Sequence, residues 1–231
     1  MEKEHVAAMF DDIAPKYDFL NHFLSLGIDK LWRKKLVKLL KKQLPTNVLD
    51  IATGTGDLAL TIYKCAKPEK IIGVDISEQM LQYGREKIEK KNLQNIITLQ
   101  YGDSENLDFA DNSFDAVTVA FGVRNFENLE KGLSEMCRVL KPGGMVYILE
   151  FTMPKCFPFK QLYHFYFFKV LPLIGRLFSG NNHAYSYLPQ SVEQFPHNKA
   201  MLNKLNDAGF NGTKYVILTC GIAAIYVGTR I

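Results

Sequence analysis

The chain has 231 residues, with 28 Lys and Arg against 24 Asp and Glu, a formal net charge of +4. Apolar residues make up 47% and charged residues 23%, which excludes a disordered chain, a collagen and a disulfide-stapled secreted peptide. The length suits one large α/β domain that buries roughly 70% of its unfolded surface without disulfides or metals.

Cys65, Cys137, Cys156 and Cys220 are far apart and form no CxxC pair, so they predict neither a zinc site nor a disulfide framework. The first twelve residues carry Glu2, Lys3, Glu4, His5, Asp11 and Asp12 and lack the apolar core of a signal peptide. The longest apolar stretch, residues 215–228, is shorter than the ~20 residues needed to cross a bilayer. These features predict a cytoplasmic protein, at most a visitor to a membrane surface.

The first 45 residues read as helical. Residues 28–44 place Leu31, Trp32, Leu36, Leu39 and Leu40 at helical spacing with Lys34, Lys35, Lys38 and Lys41 opposite, and Pro45 stops the run. Short apolar runs then alternate with amphipathic stretches. Strands are predicted at 47–52, 70–75, 96–101, 114–120 and 145–151, with helices at 58–66, 78–90 and 129–140 between them. Lys141-Pro-Gly-Gly144 reads as a turn into the fifth strand. This order predicts an α/β fold, a doubly wound, mostly parallel sheet with helices on both faces. Residues 213–219 and 222–228 break the rhythm. Two residues cannot carry a parallel crossover, so this last pair must be an antiparallel hairpin.

Between the first strand and its helix stands Asp50-Ile-Ala-Thr-Gly54-Thr55-Gly56-Asp57. Glycines here let backbone approach a ligand, and the helix start offers free N–H groups. A tight turn with no ligand and a dinucleotide site both compete, the latter because Gly54, Gly56 and Ala59 fit the loose G-x-G-x-x-G/A form. A pyrophosphate, however, would meet Asp50 before the glycines and Asp57 after them. Negative charge on both sides suits the ammonium and sulfonium of S-adenosylmethionine. Acids also end successive strands: Asp50, Asp75, and Asp103 just after the third. All belong at the carboxyl edge, where open α/β sheets bind ligands. Asp75 is placed for two ribose hydroxyls and Asp103 for an adenine amino group. An NAD-dependent dehydrogenase is the competing enzyme class.

From about residue 45 onward this arrangement resembles the class I S-adenosylmethionine-dependent methyltransferases, which implies a seven-stranded Rossmann-like sheet with an antiparallel last strand. Tyr17-Asp18-Phe19-Leu20-Asn21, Leu24-Ser25, Gly27 and Trp32-Arg33 resemble the N-terminal signature of the ubiquinone/menaquinone biosynthesis C-methyltransferases. So do Phe121-Gly-Val-Arg124-Asn125, Arg138-Val-Leu-Lys-Pro-Gly-Gly144 with Glu150, and Tyr185-Ser-Tyr187-Leu-Pro189 with Ser191. Position 29 departs, with Asp29 where many members carry His.

The resemblance implies methylation of a ring carbon of a polyprenylated quinol. Demethylmenaquinol is favoured, and a 2-methoxy-6-polyprenyl-benzoquinol is the alternative. Cofactor contacts fall on Thr55, Asp75, Asp103 and Ser104, joined by Gly54, Gly56 and Asp50 of the turn. Ala120 stands where some members have a contacting Ser. Arg124, Asn125 and Asp29 are the catalytic candidates, with Tyr17 and Asn21 beside them, and no metal is required. An arginine is no base, because its pKa exceeds ~12, so Arg124 is expected to stabilise a phenolate or to orient an activating water. No residue is assigned as the base.

The expected layout is one domain: a helical lid (1–45), the cofactor core (46–151), a substrate- and membrane-facing insertion (152–190), and a C-terminal helix with hairpin (191–231). Residues 151–192 hold no Asp or Glu but include Lys155, Lys160, Lys169 and Arg176, with Phe157, Phe159, Tyr163, Phe165, Phe167 and Phe178 among them. Residues 151–178 of this window are expected to receive the prenyl tail and touch the membrane, against the alternative that the aromatics fill a core. Expected partners are the quinol, transiently a membrane surface, and a second copy in a homodimer. Nucleic acid is not expected.

Overall fold

The structure, a computed structural model, describes residues 3–170 and 182–231. Arg176 and Phe178, together with the side chains of Leu20, Tyr185 and Ser186, lie outside the described residues.

Two helices precede the sheet, α1 (Lys3–Leu24) and α2 (Ile28–Leu40). Leu26 (φ 51°) and Gly27 (φ 74°) turn left-handed between them, which ends the first helix. There follow β1 (Asn47–Ile51), α3 (Asp57–Ala66), β2 (Lys70–Asp75), α4 (Glu78–Glu89), β3 (Ile97–Tyr101) and β4 (Phe114–Ala120). Then come α5 (Leu129–Val139), β5 (Leu140–Phe151), α6 (Phe159–Phe165), α7 (Asn182–Gln194), α8 (Lys199–Asp207), β6 (Phe210–Leu218) and β7 (Ala223–Arg230). Side chains set two helix starts. Ser77 accepts from the Met80 N–H before α4, and Asn128 from the Lys131 N–H before α5.

The sheet has seven strands in the order β3-β2-β1-β4-β5-β7-β6. β1 through β5 pair in parallel, while β7 runs antiparallel to both β5 and β6. The terminal hairpin is therefore present, closed by a short helical turn over Thr219–Gly221. Chain order reverses between β1 and β4, which puts the ligand crevice at their carboxyl ends.

One strand departs from expectation. β5 starts at Leu140, not 145, and Lys141-Pro-Gly-Gly144 is a bulge within it. Register passes from Phe114↔Leu140 to Ala116↔Met145, so three extra residues loop out of β5. The Lys141 ammonium, 2.6 Å from Asp115 Oδ1, pins the bulge. A Cβ on Gly144 would lie 2.8 Å from the Lys141 carbonyl oxygen, so the loop closes only on glycine.

On one sheet face α2, α3 and α4 bury Leu36, Leu40, Ile62 and Leu81. On the other, α5 and α8 bury Leu133, Met136, Met201 and Leu205. Each such side chain contributes about 1.5–3 kcal/mol. A third cluster joins Ile13 and Ala14 of α1 to Met80, Tyr163, Phe167 and Val192. It fastens α1 and the segment after β5 over the carboxyl edge.

Candidate active site

α1 crosses the ends of three strands in turn. Lys3 Nζ lies 2.7 Å from Asp103 Oδ2 and 3.0 Å from Glu105 Oε2, after β3. Asp11 Oδ1 accepts from the Ser77 hydroxyl at 2.6 Å, after β2. Asp18 Oδ1 accepts from the Thr55 hydroxyl at 2.6 Å, after β1. Spacings of eight and seven residues keep these three side chains on one helix face.

Beneath α1 lies a cavity of about 70 Å³ lined by Gly54, Asp75, Asp103, Ser104 and Asn125, with Phe10 and Tyr17 from the helix. Asp75 Oδ2 accepts from the Gly54 N–H at 2.8 Å and Oδ1 from the Ser77 N–H at 3.0 Å. Burial raises its carboxyl above the usual range, against those backbone donors. Asp75 thus holds the glycine turn against β2 and keeps lone pairs for a ligand's hydroxyls. Asp103 Oδ1 takes the Glu105 N–H at 2.9 Å.

A smaller adjoining cavity, about 30 Å³, is lined by Asp50, Gly54, Thr55, Asp57, Arg33 and Tyr17 among others. Asp50 is 1% exposed and accepts from the Thr53 and Thr118 hydroxyls, both at 2.7 Å. Burial pushes its pKa up to about 6. Gly56 lines none of these spaces. A Cβ there would meet Leu99 Cδ1 at 3.4 Å, so its role is the turn itself (φ 78°). A Cβ on Gly54 would meet nothing within 4 Å; that open space beside acids on three strand ends fits S-adenosylmethionine.

The third cavity, about 300 Å³, is mostly apolar. Met9, Ile13, Trp32, Phe151 and Phe167 contribute walls, and Arg124, Asp29, Arg33 and Asn21 contribute polar groups. Tyr17 lines all three cavities, and Phe121 lines the first and third. Asn125 is separated from its neighbour Arg124. It faces the 70 Å³ cavity, and its Oδ1 accepts from the Tyr187 hydroxyl at 3.2 Å.

Arg124 Nη1 donates to Glu150 Oε1 at 2.8 Å and to the Phe121 carbonyl. Its guanidinium carbon sits 5.5 Å from the Phe151 ring centroid. Glu150 is fully buried, and burial raises its carboxyl although Arg124 opposes the shift. Arg124 Nε is buried and has no hydrogen-bond partner among the described residues. Asp29, 4% exposed, accepts from the Ser25 hydroxyl at 2.7 Å and pairs with Arg33. Burial opposes its charge, but Ser25, Arg33 and His22 hold the carboxyl below the usual range.

Sequence reasoning singled out neither Lys3, Asp11 and Lys87 nor the charge on Arg33 as site residues. Lys87 Nζ binds Asp18 and Asp57, each at 2.7 Å, and Thr55 at 2.9 Å. Arg33 lines two cavities, 5.8 Å over the Phe121 ring. Its i,i+4 spacing from Asp29 is the signal that could have found it.

The chain matches the ubiE/COQ5 methyltransferase family over residues 1–230. It is 50% identical over 229 residues to a demethylmenaquinone methyltransferase of Bacteroides fragilis, covering 99% of this chain and 94% of that one. It is 47% identical over 228 residues to the ubiquinone/menaquinone biosynthesis C-methyltransferase UbiE of Geotalea daltonii, covering 98% and 97%. Among solved structures, a SAM-dependent methyltransferase of Thermotoga maritima matches with a TM-score of 0.68 at 20% identity, over 97% of this chain and 99% of that one. That likeness bears on the fold, which is the class I methyltransferase sheet. The family match over the whole length, on a site of this shape, assigns the protein: the chain belongs to the ubiE/COQ5 methyltransferase family.

Proposed function

We infer that this protein is an S-adenosylmethionine-dependent C-methyltransferase that converts demethylmenaquinol to menaquinol. The observation that carries the reading is the meeting of a 300 Å³ apolar cavity with the acid-lined cofactor cavity at Tyr17. The first is shaped for a fused ring and the start of a prenyl tail, the second for the adenosyl group.

When bound, S-adenosylmethionine supplies an electrophilic methyl group. The protein's part is to place a ring carbon against it, keep water out and handle charge and protons. Asp75 and Asp103 take adenosine hydroxyl and amino donors, with Ser104 and Gly54 beside them. Thr55 and Asp50 fix the glycine turn, and Gly56 shapes it. Arg124, held by Glu150, lines the ring cavity, where its positive charge stabilises the phenolate that makes the adjacent carbon nucleophilic. Asn125 lines the cofactor cavity and accepts from Tyr187 of the ring cavity.

The tail leads toward lipid. Leu26 is 85% exposed and also lines the ring cavity, so that cavity reaches the surface there. Phe19 and Phe23 of α1, and Phe157, Phe159, Leu162 and Phe165 around α6, are exposed nearby. The Tyr166 hydroxyl ties the two segments by donating to the Leu24 carbonyl at 2.8 Å. No helix among the described residues is long and apolar enough to cross a membrane. We place lipid contact at this aromatic face, on the cytoplasmic side of the bilayer.

The test is incubation with isotopically labelled S-adenosylmethionine and each reduced quinone, read by mass spectrometry. Methyl gain on demethylmenaquinol is expected. Preferential methylation of the methoxy-benzoquinol would overturn the substrate assignment.

A further inference from the structure

Methylating a ring carbon releases one proton, because the carbon that gains the methyl group gives up its hydrogen. That proton has to leave the 300 Å³ cavity. Arginines lining it already carry their full complement of protons. Tyr17, Tyr163, Tyr166 and Tyr187 also line it, and burial raises each hydroxyl, so they retain theirs. Among the described residues that line the cavity, Asp29 is the one carboxylate.

Asp29 is 4% exposed, so a proton arriving there needs a way out. His22 Nδ1 lies 2.7 Å from Asp29 Oδ2, and His22 Nε2 lies 3.4 Å from Asp57 Oδ2. The His22 and Asp57 side chains are 25% and 24% exposed. His22 does not line the ring cavity, so it bridges from a carboxylate inside it to a partly exposed carboxylate outside it. The charged and polar groups around this bridge are Ser25 in the turn after α1, Arg33 of α2 and Lys87 of α4, which binds Asp57 at 2.7 Å.

We propose that Asp29 and His22 form the proton exit of the ring cavity. At rest His22 Nδ1–H donates to the Asp29 carboxylate. Once Asp29 takes the ring proton, His22 exchanges with water at its exposed edge to the tautomer protonated on Nε2, and Nδ1 accepts the proton from Asp29 Oδ2. The imidazolium between Asp29 and Asp57 then releases its Nε2 proton to water, which leaves Nδ1–H facing the carboxylate again. One proton enters from the ring, one leaves, and both carboxylates end as they began. Asp29 is the catalytic residue in this scheme and His22 acts through it.

The inference rests on the ring occupying this cavity, so the experiment reads occupancy and proton transfer separately. Trp32 is the chain's single tryptophan and lines the cavity. A short-tailed naphthoquinone should quench its fluorescence equally in wild type and in His22→Ala. The kcat of His22→Ala should fall about 100-fold or more with the quinol KM within about twofold, and added imidazole should restore it in a concentration-dependent way. His22→Asn keeps a hydrogen bond to Asp29 but carries no proton onward, so it should show the same loss. Quenching with kcat near wild type in either variant overturns the exit and leaves the ring site standing. A loss that imidazole does not restore makes His22 structural and also overturns it. No quenching in the wild type removes the ring from the cavity, and the exit with it.

Discussion

The Thr55 hydroxyl donates to Asp18 Oδ1 at 2.6 Å, which ties the glycine turn to the helix that covers it. Lys87 joins the pair, binding Asp18 Oδ2 and the Thr55 oxygen. With Lys3 on Asp103 and Asp11 on Ser77, one helix closes the cofactor cavity at three strand ends. Lifting α1 to release a nucleoside ligand breaks each of these contacts.

Asp18→Ala removes the latch nearest the methyl-transfer junction. A lost hydrogen bond of about 0.5–1.5 kcal/mol predicts S-adenosylhomocysteine dissociating roughly 2- to 10-fold faster, measured by stopped flow. An unchanged off-rate would mean that α1 opens without breaking this contact.

Asp75→Ala removes an acceptor for ligand hydroxyls and also frees the Gly54 and Ser77 N–H groups. Calorimetry should show S-adenosylmethionine binding weakened by about 1.5–3 kcal/mol, with some loss of thermal stability from the loosened turn. Wild-type affinity in a folded variant would remove Asp75 from the cofactor site.

Arg124→Ala leaves Glu150 as an unpaired buried charge, and breaking such a pair costs about 3–5 kcal/mol. The single variant therefore confounds stability with turnover. Arg124→Met combined with Glu150→Met deletes both charges, so stability should recover most of that loss while kcat stays low. Turnover recovering together with stability would make Arg124 purely structural.

Strand positions were legible wherever apolar runs ended in an acid or a turn, as in β2 and β4, whose bounds match the sequence reading. β5 was shortened in that reading because Pro-Gly-Gly looks like a turn; the structure uses the same residues as a bulge. The acids at strand ends were legible because topology alone carries Asp75 and Asp103 to one edge. The α1 contacts were not, since nothing local to Lys3 points to a partner one hundred residues away. The aromatic window divides. Tyr163 and Phe167 stack at 4.7 Å in the core, whereas Phe157, Leu162 and Phe165 are exposed. Alternation around a helix sorts them, and composition does not.

Asp50 makes stability depend on pH in a direction opposite to that of a salt-bridged carboxylate. Its folded pKa is about 6, raised by burial from 3.8, so the folded chain holds this proton more tightly than the unfolded chain. Stability from this group is greatest below pH ~4, falls as pH rises toward ~6, and stays reduced above that. At ~1.4 kcal/mol per pH unit the deficit at pH 8 is about 3 kcal/mol. Asp50→Asn, which keeps an acceptor for a threonine hydroxyl, should be more stable than wild type at pH 8 and similar to it at pH 4. Denaturant titrations at both pH values measure this, and an equal difference at both would contradict the assignment.

Lipid contact is the least local of the predictions, because it depends on two segments far apart in sequence. Phe19 and Phe23 lie in the last turns of α1 and Leu26 just after it, while Phe157 precedes α6 and Phe159, Leu162 and Phe165 lie on it. All are exposed, and the Tyr166–Leu24 hydrogen bond joins the two groups beside the mouth of the ring cavity. Lys155, Lys160 and Lys169 lie in the same acid-free window. Each basic residue near an anionic surface adds about 1 kcal/mol of attraction. Replacing the three lysines with glutamate should therefore release the protein from anionic vesicles in a flotation assay and slow methylation of long-tailed quinols. A short-tailed analogue needs no extraction from lipid and should be methylated at the wild-type rate. Phe157→Ser with Phe165→Ser should weaken flotation even on neutral vesicles, where lysine has nothing to attract it. Undiminished flotation in both variants, or equal loss of activity on long and short tails, would show that this face does not meet the membrane.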